Sequence, residues 1–574
     1  MFRKLVTISA LAVLILALVA FPASSNGQAL ADLSWEILEK LQSFYPVQAT
    51  EMGIHSYDHR LADYSSNSVK QMIKDLTDYE KKLYKFQKTK LSEHDRINLR
   101  LVKSNVDIAL LNLKQIAWHK KCPQVYVDEA IDGVNYLMLS QHAPLSERVV
   151  SVISRMKAVP ALLATARRNL KNPPKVYIDA AAGPLESGIQ FYKDVAGELM
   201  QKFPERADEI LRVSTQARES MNDFLTYLSE MTPGPETAFA IGKDNFDYKL
   251  KHEYFLDYDS DSLLKIGETL LAEAQAAYRE YEENVETNHQ NGQDSIFVPS
   301  VFTKQDILDY YNWEVRQIRI FLEENDVVTV PETVAPVTVV ETPSFLRSMI
   351  AGVAYQPAGP FDTVQNAYFY VRPIPDDLDR VQLEARFRYV HRRGFKGSVV
   401  HEAFPGHHLQ LQLAGMNSDP IRKWQYNRMM SEGWALYCEE MMYHAGLFGD
   451  EDPVTWLGIL GGIRFRAARI VADVKLHTGQ FTYQECVDWM IETLDVSSES
   501  GKRYMETEVQ WYTLRPTVPM TYLIGKTEIM NLRAAAMDRD GEDFSERQFH
   551  DALLAEGSIP PILIWETMGL VRDI

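Results

Sequence analysis

SDSLLKIGETLLAEAQAAYREYE, residues Ser260–Glu282, sets its apolar side chains at three- and four-residue intervals and its charges on the opposite face, the period of an amphipathic helix. Glu198 to Leu228 carries the same pattern. With only 28 glycines and 26 prolines in 574 residues, turns are scarce, and the chain is expected to be mainly α. Breaks are expected at Asn172-Pro173-Pro174, Thr232 to Pro235, Asn288 to Asp294 and Ser497 to Gly501. There is no internal repeat. One stretch departs from helix: between Asp326 and Pro375, DVVTVPETVAPVTVVETP and NAYFYVRP are rich in β-branched and aromatic residues and predict a small sheet or hairpin. Prolines in the first run confine it to an edge or a hairpin. Such an edge suits the addition of an extended peptide as a further strand, and equally suits a purely structural hairpin.

Composition narrows the function. At 46% hydrophobic and 24% charged the chain is globular. Its 60 basic and 79 acidic residues give a net charge of −19, which opposes a nucleic-acid partner. Cys122, Cys438 and Cys486 lack a C-x-x-C spacing and allow at most one disulfide. At the N-terminus, Arg3 and Lys4 precede an apolar run from Leu5 to Phe21 and then Pro22-Ala23-Ser24-Ser25. This reads as a signal peptide over residues 1–25, with 26–574 as a single large helical domain exported from the cytoplasm to the periplasm or beyond. A retained anchor is the alternative, because the run approaches the ~20 residues that span a bilayer. After cleavage no stable membrane insertion is expected. No cysteine follows the run to accept a lipid.

The chemistry concentrates in SVVHEAFPGHHLQLQL, residues 398–413, where His401, Glu402, His407 and His408 crowd together. Zinc peptidases of the HExxH kind use histidines one helical turn apart, with the glutamate between them as general base. Here the i+4 position is Pro405. On an unbroken helix His401 and His407 would be about 9 Å apart at ~1.5 Å per residue, too far to share one zinc. Pro405 cannot donate to the His401 carbonyl and its ring clashes there, while Gly406 permits unusual dihedrals. A kink or bulge is therefore expected to return His407 to the side of His401, with His408 facing elsewhere.

A second helix, MMSEGWALYCEEMMY, carries Glu432 and Glu439 on one face, seven residues apart, one suited to be a ligand and the other to accept from a histidine N–H. Glu440 points away. Arg469, Asp473 and His477 form an i, i+4, i+8 stripe that either holds a substrate carboxylate or is a structural ion ladder. Tyr522, in MTYLIGKTEIMNLRAA, is a candidate oxyanion donor. His252-Glu253 lacks a second histidine and reads as surface.

HEAFPGH (His401 to His407) and EGWALYCE (Glu432 to Glu439) resemble the paired HExxPGH and EGWAxYxE motifs of the bacterial domain-of-unknown-function family 885. PVQATEMGIHSYDHRLADYS (Pro46 to Ser65) and YLIGKTEIMNLR (Tyr522 to Arg533) are similar to that family's opening and closing signatures, so the likeness spans nearly the whole chain after the leader. The family looks like a member of the gluzincin metallopeptidase clan. That likeness implies a two-lobed helical fold with a deep cleft, and one Zn2+ per chain held by His401, His407 and Glu432. It also implies Glu402 as the base and Tyr522 near the substrate. The motif is two residues longer than HExxH, which leaves His407 and His408 both open as the second ligand, with His407 favoured. The stretch before Tyr522 departs from the family's usual wording.

The expected function is a secreted zinc peptidase acting on short or unfolded peptides, an exopeptidase or oligopeptidase by analogy. Two alternatives use the same residues: a zinc amidohydrolase of a cell-wall peptide or acylated amino acid, and an extracellular binding protein that has lost turnover.

Overall fold

The computed structural model describes residues 25–285, 302–347, 354–390, 394–449 and 453–572. The expected leader and the break at 288–294 lie outside these, apart from Ser25, which opens the helix Ser25–Phe44. The architecture is mainly α-helical. Ser260–Glu282 lies within one helix, Ser260–Val285. Glu198 to Leu228 does not form a single helix: Lys175–Lys202 stops before Pro204, and a new helix, Ala207–Ser229, begins after a short turn. The residue before a proline is pushed out of the α region, and Phe203 accordingly adopts φ −132° and ψ 67°.

Among the described residues three strands form the small sheet: β1 Val337–Glu341, β2 Ala354–Gln356 and β3 Ala367–Val371, in the order β1-β3-β2. β1 runs parallel to β3 and β2 antiparallel to it, so the proline-bearing first run is an edge and not half of a hairpin with its successor. The outer edge of β1 is partly taken: the Asn312 side chain donates to the Val339 carbonyl at 3.0 Å and accepts from the Val339 N–H at 2.9 Å. A peptide adding at β1 would have to displace this amide. β2 is the remaining edge.

Among the described residues, buried apolar side chains gather in three clusters. The first lies mainly among the helices between Ser25 and Ser229. The second joins the helix Lys304–Glu324, the sheet, the segment around His401 and the C-terminal helices. The third lies where Ser260–Val285 runs along Pro453–His477, with Gly267 closely packed against Ile470. The helix Arg428–His444 sits between the last two, giving Met430, Trp434 and Met442 to one and Met429 and Leu436 to the other. It is thereby fixed on two sides, which suits an element that must hold side chains in register.

Cys122, Cys438 and Cys486 are free and buried. His252 is half-buried beside Asp107 at 3.7 Å, not a plain surface residue.

Candidate metal centre

The break in the histidine motif is complete. One helix, Gly394–Glu402, ends just after His401, and another, His407–Gly415, begins at His407, in place of a kink within a single helix. Pro405 has no N–H to continue the first helix. The Gly406 N–H reaches back to the Val400 carbonyl at 3.0 Å. Gly406 has φ −64°, so close approach and not left-handed backbone demands glycine: a methyl group there would stand 1.9 Å from the His401 carbonyl oxygen. The turn is clamped by Trp434, fully buried, whose indole N–H donates to the Pro405 carbonyl at 2.8 Å.

This turn brings the two imidazoles together, with ring centroids 4.9 Å apart and planes at 90°. Nε2 of His401 and Nε2 of His407 lie 3.8 and 3.4 Å from Oε2 of Glu432. All three ligand atoms fall within 4.8 Å of one another. A tetrahedral zinc with ~2.1 Å bonds sets its ligand atoms about 3.4 Å apart, so two imidazoles and one carboxylate at these spacings fit that ion. The three side chains keep 11% to 14% exposure, enough to meet a small ion or substrate from solvent.

The outward nitrogens are held in turn. His401 Nδ1 meets Glu439 Oε1 at 2.8 Å, and His407 Nδ1 meets Ser431 Oγ at 3.1 Å. Such partners fix ring orientation, and Glu439, which accepts, sets the proton on Nδ1 of His401; both Nε2 atoms are turned toward Glu432. Arg466 lies 3.8 Å from the same Glu439 oxygen. Burial works against the charged forms of Glu432, Glu439 and His401, but hydrogen bonds and charge prevail. Glu432 is held far below the usual carboxylate range by the two histidines, and Glu439 is lowered by His401 and Arg466. His401 is raised to about 9 by Glu432 and Glu439. Two carboxylates thus focus negative potential on one imidazole pair, the field that a dication would answer.

His408 is not part of this triad. It is fully buried, Nε2 donating to the Ala335 carbonyl at 2.7 Å and Nδ1 accepting from Tyr355 of β2 at 2.8 Å. The carbonyl cannot donate, which fixes the tautomer. His408 therefore ties the turn to the sheet. Glu402 ends the His401 helix, half-buried. Glu440 points the other way and pairs with Lys526.

Tyr522 lies on a helix that crosses the Glu432 helix unusually closely. Gly433 of the Glu432 helix meets Gly525 of the helix Thr521–Asp540, where a methyl group on Gly433 would stand 2.5 Å from the Gly525 backbone and one on Gly525 2.1 Å from the Met429 carbonyl. The Tyr522 hydroxyl is raised to about 12 by burial and then by the Glu432 charge, against the pull of Arg469, Arg428 and Arg466.

Two residues of the Arg469, Asp473 and His477 stripe, Asp473 and His477, are buried in the core. Arg469 is stacked 4.9 Å from the Tyr522 ring centroid and spends its donors on Glu508 at 2.6 Å and Tyr512 at 3.0 Å. Asp473, fully buried, accepts from the Thr517 and Met520 N–H groups and so caps the approach to the Tyr522 helix. His477, also fully buried, donates from Nε2 to the Tyr512 carbonyl at 3.0 Å. Neither Asp473 nor His477 has surface with which to meet a substrate.

His477 carries a pH prediction. Burial depresses its folded pKa to about 3, against ~6.5 unfolded. Below pH ~6.5 the unfolded chain binds the proton and the folded chain does not. Stability present above pH 6.5 is therefore lost as pH falls toward 3, at up to ~1.4 kcal/mol per pH unit from this group. Denaturation midpoints of His477→Gln, followed from pH 7 to 4, should fall less steeply than those of the parent chain; equal slopes would contradict the assignment.

Sequence reasoning missed Ser431 and Tyr355. Ser431 directly precedes Glu432, and the rule that a ligating histidine needs an outward partner points to a search for such a hydroxyl.

The fold and site define a predominantly helical protein with a preformed two-histidine, one-glutamate centre. The chain belongs to the family described as "Bacterial protein of unknown function (DUF885)", whose model matches residues 46–568. No functionally curated protein matches it. Two solved structures share the fold. One is called a "putative lipoprotein of unknown function", from Shewanella oneidensis (TM-score 0.73, 20% identity, covering 94% of this chain and 99% of the other). The other is called a "putative lipoprotein", from Colwellia psychrerythraea (TM-score 0.74, 18% identity, covering 95% and 99%).

Proposed function

We propose that the chain is an extracytoplasmic zinc-dependent hydrolase of the gluzincin kind, cleaving short or unfolded peptides. The observation that carries this reading is the convergence of His401, His407 and Glu432 at zinc-ligand spacing, with Glu402 next to the first of them.

A zinc ion bound there would supply an acidified water and a polarised carbonyl. Glu402 takes the proton of the attacking water and returns it to the leaving amine. Glu439 and Ser431 keep both imidazoles aimed inward throughout. Tyr522, protonated up to about 12, retains an O–H to donate to the developing oxyanion. An acyl group other than a peptide's would use the same residues, so acylated amino acids and cell-wall peptides belong in the substrate panel.

The basic, apolar and small-residue pattern of the leader supports export. The two similar structures are named as lipoproteins, which agrees with a place outside the cytoplasm.

The test is hydrolysis of short peptides by the zinc-loaded chain. Activity should vanish on chelation and return with zinc. Activity that survives complete removal of metal would end this reading.

A further inference from the structure

We propose that His55, Asp58 and His142 form a second site for a divalent transition-metal ion, separate from the centre at His401. His55 Nδ1 lies 3.0 Å and His142 Nε2 3.8 Å from the same Asp58 oxygen, Oδ2. The three ligand atoms fall within 4.8 Å of one another, as do those of His401, His407 and Glu432. The nitrogens that approach Asp58 belong to rings stacked with centroids 3.4 Å apart and planes at 16°, so one ring must turn for both to meet an ion in their own planes.

The surroundings repeat the logic of the first centre. His55 turns its outward Nε2 to Asp362 Oδ1 at 3.1 Å, and His142 turns its outward Nδ1 to Ser140 Oγ at 2.7 Å. Each imidazole pair thus has one carboxylate and one serine hydroxyl behind it, partners that orient ligating imidazoles, and an ion would take the place of the proton that His55 Nδ1 shares with Asp58. Asp58 is oriented too: its other oxygen accepts from Thr50 Oγ1 at 2.6 Å, with Arg155 at 3.9 Å. Arg155 is fully buried and donates to the Arg60, Gly133 and Pro46 carbonyls and to Thr50 Oγ1, which holds the whole turn.

Two imidazoles and a carboxylate suit zinc or a neighbouring first-row ion, and not calcium or magnesium, which prefer all-oxygen shells. His55 and His142 keep 20% and 21% exposure, so an ion can enter. The ion would join three distant stretches of chain: the turn after Pro46–Glu51, the end of the helix Gln124–Leu139, and through Asp362 the loop between β2 and β3. That loop already packs on the turn, the Phe361 N–H donating to the Met52 carbonyl at 3.0 Å. The ion's role is to staple the N-terminal helices to the sheet beside the His401 centre.

The test is titration of zinc into the metal-free full chain, with bound metal counted after gel filtration. Two zinc ions per chain are expected, one in His142→Ala, one in His407→Ala and none in the double variant. A parent chain that binds only one zinc, kept in His142→Ala, or a His142→Ala chain that still binds two, would overturn the proposal. Should His142→Ala fail to fold, Asp362→Asn is expected to weaken one of the two sites by roughly 10- to 100-fold; unchanged affinity at both would overturn it. The His407→Ala arm separates the two sites: zinc lost only in His142→Ala sustains this proposal and removes the hydrolytic one.

Discussion

Glu402→Gln is expected to lower kcat/KM for peptide hydrolysis by about 10²- to 10⁴-fold while leaving zinc content unchanged. The magnitude is that of losing a positioned general base, roughly 3–5 kcal/mol of transition-state stabilisation. The split between the two readouts follows from geometry. Glu402 closes the helix that presents His401, yet the set of ligand atoms within 4.8 Å is His401, His407 and Glu432. An amide at 402 has nearly the same shape and no basic oxygen, so it leaves the turn in place and removes the proton acceptor. Steady-state kinetics and metal analysis on one preparation decide it. A variant that loses zinc would make Glu402 a ligand, and one that keeps full activity would remove the base from the mechanism.

The second large effect separates adjacent histidines. His407→Ala should abolish zinc binding at this centre and hydrolysis with it, because one of three protein ligands is gone. His408→Ala should keep the zinc and lose stability. It strands the Tyr355 hydroxyl and the Ala335 carbonyl, each a buried polar group costing about 1–3 kcal/mol when unpaired, and it opens a cavity beside Phe404. Metal content and thermal unfolding of both variants provide the comparison. Zinc retained in His407→Ala and lost in His408→Ala would reverse the ligand assignment.

Much of this centre was legible before any coordinates. An uninterrupted helix cannot bring residues 401 and 407 to one ion, so Pro405 and Gly406 had to break it, and the spacing of Glu432 and Glu439 placed both on one face. The extent of the break was not legible. Whether a proline kinks a helix or ends it depends on what fills the gap, here the Trp434 indole N–H on the Pro405 carbonyl. The Arg469 stripe was ambiguous because an i, i+4 ladder looks the same on a binding face and in a core; only full burial of Asp473 and His477 distinguishes them. The parallel pairing of β1 with β3 was hidden because strand direction is set by the connection and not by the strand's composition. Glu198 to Leu228 was misread because apolar periodicity persisted across Pro204. The cluster at His55 was invisible for a different reason. Residues 55, 58, 142 and 362 meet only through the tertiary fold, and no local spacing announces them.

The most direct test of the account is the zinc-edge anomalous signal in crystals grown with zinc. It should show an ion bounded by Nε2 of His401, Nε2 of His407 and Oε2 of Glu432, with His408 still on Tyr355 and Ala335. Zinc-grown crystals without a peak between those three atoms would contradict it.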